Sequence, residues 1–245
     1  MSARAKAAKP INDLLRPLRV QLVAGRSANP AVQDFISARK TIAAARKAGL
    51  PVADYIDRTF AQPGATAETV EVMLKLADLH GDCGTICEIG PGSGRYAEAV
   101  IRTVHPATYE IYETAADWLP HLARLPNVII RKCDGRTLSQ TGDASVDLVH
   151  AHKVFVYLDF STTVSYLAEM ARVVRPGRVM AFDIVSEKCL DDNMVLQWAE
   201  HGTIYRPIPR LWVIEFLRRR GLALLGSHLA PLTKGHTELM VFRRN

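Results

Sequence analysis

Cys87–Glu98 reads CEIGPGSGRYAE, with three glycines in five residues straight after a short apolar run. Glycine lifts the steric limits on the backbone and lets another group approach it closely, at a cost in conformational entropy. Three at this spacing predict a turn that faces a ligand. The residues on either side fit a strand ahead of the turn, TICEI (85–89), and a helix behind it, RYAEAVIRTV (95–104).

The alternation continues. TYEIYE (108–113) reads as a second strand, ADWLPHLARL (116–125) as a helix, VIIRKC (128–133) and SVDLVHA (145–151) as the third and fourth strands. A helix over TVSYLAEMARVV (163–174) stops at a turn, Arg175-Pro176-Gly177, and RVMAFDIV (178–185) is the fifth strand. RLWVIEFLRRRG (210–221) is helical, and ALLGSHL (223–229) and ELMVF (238–242) close the chain. Strands with continuous apolar runs, separated by helices, imply a parallel sheet covered on both faces. Only APLTKGHT (230–237) separates the last two strands, too little for a crossover helix, so these are expected to run antiparallel. The predicted fold class is α/β: a doubly wound, mostly parallel seven-stranded sheet with an antiparallel C-terminal strand, plus an N-terminal helical extension.

That extension, residues 1–75, is expected to form a lid on a second unit, residues 76–245. It breaks into helical pieces at Pro17, Pro30 and Pro51, and a later helix takes Thr66 as its N-cap and an apolar face of Val70, Met73, Leu74 and Ala77. Charge is concentrated here. Residues 1–50 hold ten Lys/Arg against two acids, Asp13 and Asp34, while the rest of the chain is near balance, with 21 basic and 23 acidic residues. Such an arm suits nucleic acid, anionic lipid or a phosphorylated substrate, and equally a solvated helix face.

The 245 residues contain no run of eighteen apolar residues, which argues against a membrane span, and the basic start is not followed by a signal-peptide segment. A cytoplasmic protein is expected. Cys83 and Cys87 lack the spacing of a zinc pair, so no metal is expected and the four cysteines read as free thiols.

On this scaffold the first strand–turn–helix lies at the carboxyl edge of the sheet, where open α/β folds bind ligands. A dinucleotide fingerprint needs glycines at 90, 92 and 95, whereas the third is Gly94 and position 95 is arginine. In order, EIGPGSG, IYE ending in Glu113, CDG at 133–135, DLVHAHKVFVYL and LAEMARVVRPGRVMAFDI, with the terminal hairpin, resemble the class I (Rossmann-like) S-adenosylmethionine-dependent methyltransferases over roughly residues 80–245. The resemblance implies S-adenosyl-L-methionine as cofactor. It implies that Glu88, Gly90, Pro91, Gly92 and Gly94 hold the methionine moiety and that Glu113 accepts hydrogen bonds from the ribose hydroxyls. It implies too that Asp134 contacts the adenine amino group, that Gly135 makes room for the ring, and that His150, Ala151 and His152 border the cofactor from the fourth strand. Glu113 as an ordinary strand-end carboxylate and Asp134 as a helix cap stay open.

For the acceptor, an oxygen nucleophile must lose a proton, so a histidine at the fourth strand is of interest. His152, just past the strand end, is the first candidate as base or acceptor-orienting residue, with His150 and Tyr157 beside it, and a hydrogen-bonded structural histidine as the alternative. Tyr55, Asp57, Asp183, Glu187 and the insert 187–210, with Trp198, His201, Tyr205 and Arg206, are possible pocket residues. HAHKVF at the fourth strand departs from the Asn/Asp-Pro-Pro-aromatic motif of the base amine methyltransferases. The function expected is O-methylation of a polar small molecule such as a sugar or glycan intermediate. The alternatives are an RNA methyltransferase using the basic arm, a non-catalytic cofactor-binding protein, and a dehydrogenase. Acceptor, regiochemistry and oligomeric state are not readable.

Overall fold

The computed structural model describes residues 36–81, 83–232 and 235–245. The helical pieces expected before residue 36, and the arm's charges there, lie outside the described residues.

Seven strands form one sheet in the order β3-β2-β1-β4-β5-β7-β6. They are β1 (Cys83–Ile89), β2 (Pro106–Tyr112), β3 (Val128–Arg131), β4 (Val146–Ala151), β5 (Val174–Ile184), β6 (Leu222–Leu232) and β7 (Gly235–Arg244). The first five pair in parallel, and β7 lies antiparallel between β5 and β6. The chain leaves β1 toward one edge and returns at β4 on its other side, so the β1/β4 boundary is the point where strand order reverses. Ligands of open α/β sheets sit outside the carboxyl ends of the strands at such a point.

The helices are α1 (Ala38–Lys47), α2 (Val52–Phe60), α3 (Ala65–Ala77), α4 (Arg95–Val104), α5 (Leu119–Leu122), α6 (Phe160–Val173), α7 (Asp192–His201) and α8 (Arg210–Arg218). Two cores result, one on each face of the sheet. Val70, Met73 and Leu74 of α3 pack with Tyr96, Ala97 and Val100 of α4 against Ile86, Tyr109, Ile111 and Leu148. On the other face Leu167 and Met170 of α6 and Val213 and Leu217 of α8 meet Cys87, Ile89, Val149 and Phe182. Alternate residues of β1 thus enter opposite cores, which is why the strand reads apolar throughout.

Several local expectations change. Thr66 does not cap α3, whose N-cap is Gly64. Its free N–H groups are served from outside: Asp57 of α2 accepts the Thr66 N–H at 2.9 Å and the Thr66 hydroxyl at 2.7 Å. Arg175-Pro176-Gly177 is not a turn between helix and strand. Val146 pairs with Val174 and Leu148 with Val179, so residues 175–178 bulge from β5 opposite Asp147, whose Oδ1 holds Arg175 at 2.9 Å and Arg178 at 3.2 Å. The helix expected over 116–125 shrinks to the single turn of α5, with Pro120 in it. The final strands run on to Leu232 and Gly235, consuming most of the stretch expected as a connection.

The four cysteines are free. Among the described residues no helix is long and apolar enough to cross a membrane, and no cluster of three His, Cys, Asp or Glu has metal-holding geometry.

Candidate active site

The turn after β1 is built on backbone. Gly90 N–H donates to the Tyr112 carbonyl at 2.8 Å and Gly94 N–H to that of Pro91 at 2.9 Å, and Gly90, Gly92 and Gly94 all have positive φ. The glycines are not equivalent. A Cβ on Gly90 would fall 2.7 Å from Val154 Cγ2, whereas one on Gly92 would meet no atom within 4 Å. Packing requires the first glycine, and the second presents bare backbone on the open side of the turn.

Glu113, just past β2, braces that turn. Its Oε2 accepts the Gly92 N–H at 2.6 Å and its Oε1 the Ala115 N–H at 2.7 Å, and burial raises its pKa. A carboxylate has about four lone-pair sites, so acceptor capacity remains after these backbone contacts. Asp134 is exposed and caps its own turn, accepting from Arg136 N–H at 2.8 Å, Thr137 N–H at 2.7 Å and the Thr137 hydroxyl at 2.6 Å. Burial opposes the charge there, yet the Thr137 and Arg136 hydrogen bonds outweigh it and lower its pKa. Gly135 has positive φ, with no side chain nearer to its Cβ position than Thr114 at 3.7 Å.

Glu88 is buried at the β1/β4 boundary, and its Oε2 accepts from the Tyr109 hydroxyl at 2.7 Å. The same hydroxyl lies 2.8 Å from His150 Nε2. His152 stacks on Tyr96 of α4 with ring centroids 4.3 Å apart, and lies 5.2 Å from His150. It is 4% exposed, yet neither ring nitrogen has a partner among the described residues, and His150 Nδ1 is likewise alone among them. Burial, with Lys153 and Arg95 adding to it, pushes the His152 pKa down to about 3, and burial with the His152 charge holds His150 well below the usual range. Both rings are therefore neutral. Ala151 points its methyl into the opposite core, as strand alternation demands, so only its backbone borders this face.

The loop that follows is held open by Asp183 at the end of β5. Its Oδ1 accepts the Lys153 N–H at 2.6 Å and its Oδ2 meets Lys153 Nζ at 3.0 Å and the Thr237 hydroxyl at 2.8 Å, which fixes Lys153 at a φ of 57°. Tyr157 stacks on Tyr205 at 5.7 Å, and Trp198 tilts onto Tyr205 at the same distance, beside Val156, Val185 and Cys189. His201 and Arg206 are exposed, and Glu187 accepts the Arg210 N–H at 3.0 Å. Tyr55 is half-buried, and its carbonyl accepts from the Thr59 hydroxyl. Asp57 is structural: it also takes a hydrogen bond from Arg95 at 2.6 Å, tying α2 to the first residue after the glycine turn. Asp57→Asn, which leaves that guanidinium without its anion, is expected to lower stability by about 2 kcal/mol, read as a fall in Tm of roughly 4–8 °C.

Sequence reasoning missed Tyr96, Tyr109, Arg95 and Lys153. Only Arg95 had a signal, its place directly behind the glycines.

Residues 87–182 match the family model described as "Methyltransferase domain". No curated protein matches the chain. Among solved structures, Burkholderia thailandensis 1,6-didemethyltoxoflavin-N1-methyltransferase, with 1,6-didemethyltoxoflavin and S-adenosylhomocysteine bound, is similar at 17% identity and a TM-score of 0.58, covering 92% of this chain and 94% of that one. An O-methyltransferase family protein from the same organism gives 17% and 0.57 over 98% of this chain and 70% of its own. Magnesium protoporphyrin IX methyltransferase from Synechocystis PCC 6803, with S-adenosylhomocysteine bound, gives 12% and 0.55 over 99% and 98%. At these identities the likeness speaks for the fold. Residues 87–182, from β1 into β5, carry the methyltransferase-domain match, and the sheet has the class I, Rossmann-like methyltransferase fold.

The residues fit S-adenosylmethionine: Gly92 offers uncovered backbone, Glu113 keeps acceptor capacity beside it, and Gly135 leaves room at the next loop. When bound, the cofactor supplies a methyl group already activated on a sulfonium.

Proposed function

We propose that the chain methylates an oxygen of a polar small molecule, such as a sugar or glycan intermediate, and that His152 receives and aligns the acceptor hydroxyl. One observation carries this reading: His152 is buried at the end of β4, and both its ring nitrogens are unpartnered among the described residues. Leaving such a group unsatisfied costs about 1–3 kcal/mol, so its presence calls for a ligand. A neutral imidazole offers one N–H and one bare nitrogen, and a hydroxyl is both acceptor and donor. The low basicity of His152 keeps the ring neutral, so it orients the hydroxyl by donating its one N–H to the oxygen rather than by taking the proton.

Glu113 and the glycine turn hold the cofactor in this reading, with Asp134 and Gly135 at the adenine end. Much of the rate then comes from holding the reactants in line, worth up to about 7–11 kcal/mol in well-oriented systems. Helices α1 and α2 serve as the lid over that edge. Ala38 N–H at the start of α1 donates to Asp117 at 2.8 Å, Trp118 Nε1 donates to the Ile36 carbonyl at 2.8 Å, and Asp57 grips Arg95.

His152→Ala is expected to lower kcat by about 100-fold with cofactor affinity unchanged. The pH–rate profile of the wild type should show no inflection near the ordinary histidine value, because His152 is neutral throughout. The linkage is tested with methyl-labelled cofactor and carbon NMR of the isolated product. A methyl bonded to oxygen supports the reading, and one bonded to nitrogen overturns it.

A second reading, RNA as acceptor, has one observation in its favour. The outer face of α1 carries Arg39, Lys40, Arg46 and Lys47, all exposed, and no described acid pairs with them. A row of cations without counter-charges suits phosphates.

A further inference from the structure

We propose that Glu88, Tyr109 and His150 form a buried proton wire that carries the acceptor's hydroxyl proton away from the reacting oxygen. It rests on the oxygen reading above. The three side chains come from adjacent strands, β1, β2 and β4, on one face of the sheet, and all are buried. They join in one line: Glu88 Oε2 to the Tyr109 hydroxyl at 2.7 Å, and that oxygen to His150 Nε2 at 2.8 Å. A network built for stability alone would satisfy every buried polar atom. This one ends at His150 Nδ1, which has no partner among the described residues, beside the equally unpartnered His152.

The line has two self-consistent settings. With Glu88 ionised, Tyr109 donates to the carboxylate and accepts from His150 Nε2–H, which leaves Nδ1 with a bare lone pair. With Glu88 protonated, the carboxyl donates to Tyr109, Tyr109 donates to Nε2, and the ring proton sits on Nδ1. The first setting converts to the second by one transfer along the line. The acceptor's O–H bond breaks and its proton goes to Nδ1. The Nε2 proton moves to Tyr109, and the Tyr109 proton moves to Glu88. The electron pair of the broken O–H bond stays on the acceptor oxygen, which is left as the nucleophile. Every intermediate residue ends neutral, and the proton is stored on Glu88.

The far end is suited to that storage. Burial first, then the Glu113 charge, raise the Glu88 pKa to about 8 against the Tyr109 hydrogen bond and the Arg95 charge. Tyr96 of α4 also faces it, Cys87 lies beside it in the chain on the opposite face of β1, and His150 faces Tyr109 and His152. A carboxyl with a pKa near the working pH both takes and returns a proton readily.

The test is ring-nitrogen NMR of the histidines in the full chain, without cofactor or acceptor, across about two pH units either side of about 8. His150 is assigned by the signals lost in His150→Asn. Its proton is expected to sit on Nδ1 below the midpoint and on Nε2 above it. Glu88→Gln should pin one tautomer. Tyr109→Phe should abolish the switch while leaving the fold intact, and it decides the question by itself if Glu88→Gln does not fold. One tautomer at every pH, or a switch that persists in Tyr109→Phe, would overturn the wire. Because no methyl acceptor is present, failure here is separate from failure of the oxygen reading, which the product's linkage decides.

Discussion

Glu113→Ala is expected to raise the dissociation constant for S-adenosylhomocysteine by roughly 100-fold, measured by calorimetric titration. The carboxylate does two things at once. It holds the Gly92 and Ala115 N–H groups at 2.6 and 2.7 Å, and in the proposed reading its remaining acceptor capacity takes the ribose hydroxyls. Hydrogen bonds to a charged acceptor contribute about 1.5–3 kcal/mol each, and about 1.4 kcal/mol is tenfold in affinity. Loss of both, partly offset by water, gives the figure. Glu113→Gln keeps one acceptor oxygen and the shape, so its effect should be roughly tenfold. Unchanged affinity in the alanine variant would show that Glu113 serves the turn alone.

Gly90→Ala is expected to destabilise the fold by about 3 kcal/mol, a drop in Tm of roughly 6–12 °C. A left-handed conformation costs a non-glycine residue about 1–2 kcal/mol, and the new methyl would press on Val154 at 2.7 Å in a packed core, which adds about 1–3 kcal/mol. Trimming the obstacle in Gly90→Ala/Val154→Ala should recover part of the loss, a coupling that a mutant cycle reads directly. Gly92→Ala meets nothing within 4 Å, so its Tm should fall by less than that of Gly90→Ala while its affinity for S-adenosylhomocysteine falls by more. Equal Tm losses for the two variants would contradict the division of labour within the turn.

The glycine turn and the strand–helix order were legible because each rests on local chemistry. Glycine at 90, 92 and 94 marks positive φ within five residues, and the apolar runs of β1 and β4 mark strands covered on both faces. His150 and His152, two apart on one strand, share a face for the same reason. What escaped depends on residues far apart in sequence. Asp57 reaches Thr66 and Arg95, so the cap of α3 and the anchor of α2 come from one side chain that neither local pattern announces. The β5 bulge arises because Asp147 gathers Arg175 and Arg178, a pairing visible only once β4 and β5 are in register. Tyr109 and Glu88 meet because parallel register sets β2 beside β1, and register between parallel strands leaves no mark in either strand alone. The same long-range contact left His150 Nδ1 and His152 as the unsatisfied atoms of a buried face, a fact about partners that residue types do not carry.

The most direct test is transfer of label from methyl-labelled S-adenosylmethionine into host-cell extract, separated into polar metabolites, lipid and glycolipid, RNA and protein, with Glu113→Ala as control. Label in the polar or glycolipid fraction, lost in the variant, is the expected result and yields a product to identify. Label confined to RNA would contradict the small-molecule reading, and none in any fraction despite proven cofactor binding would contradict catalysis itself.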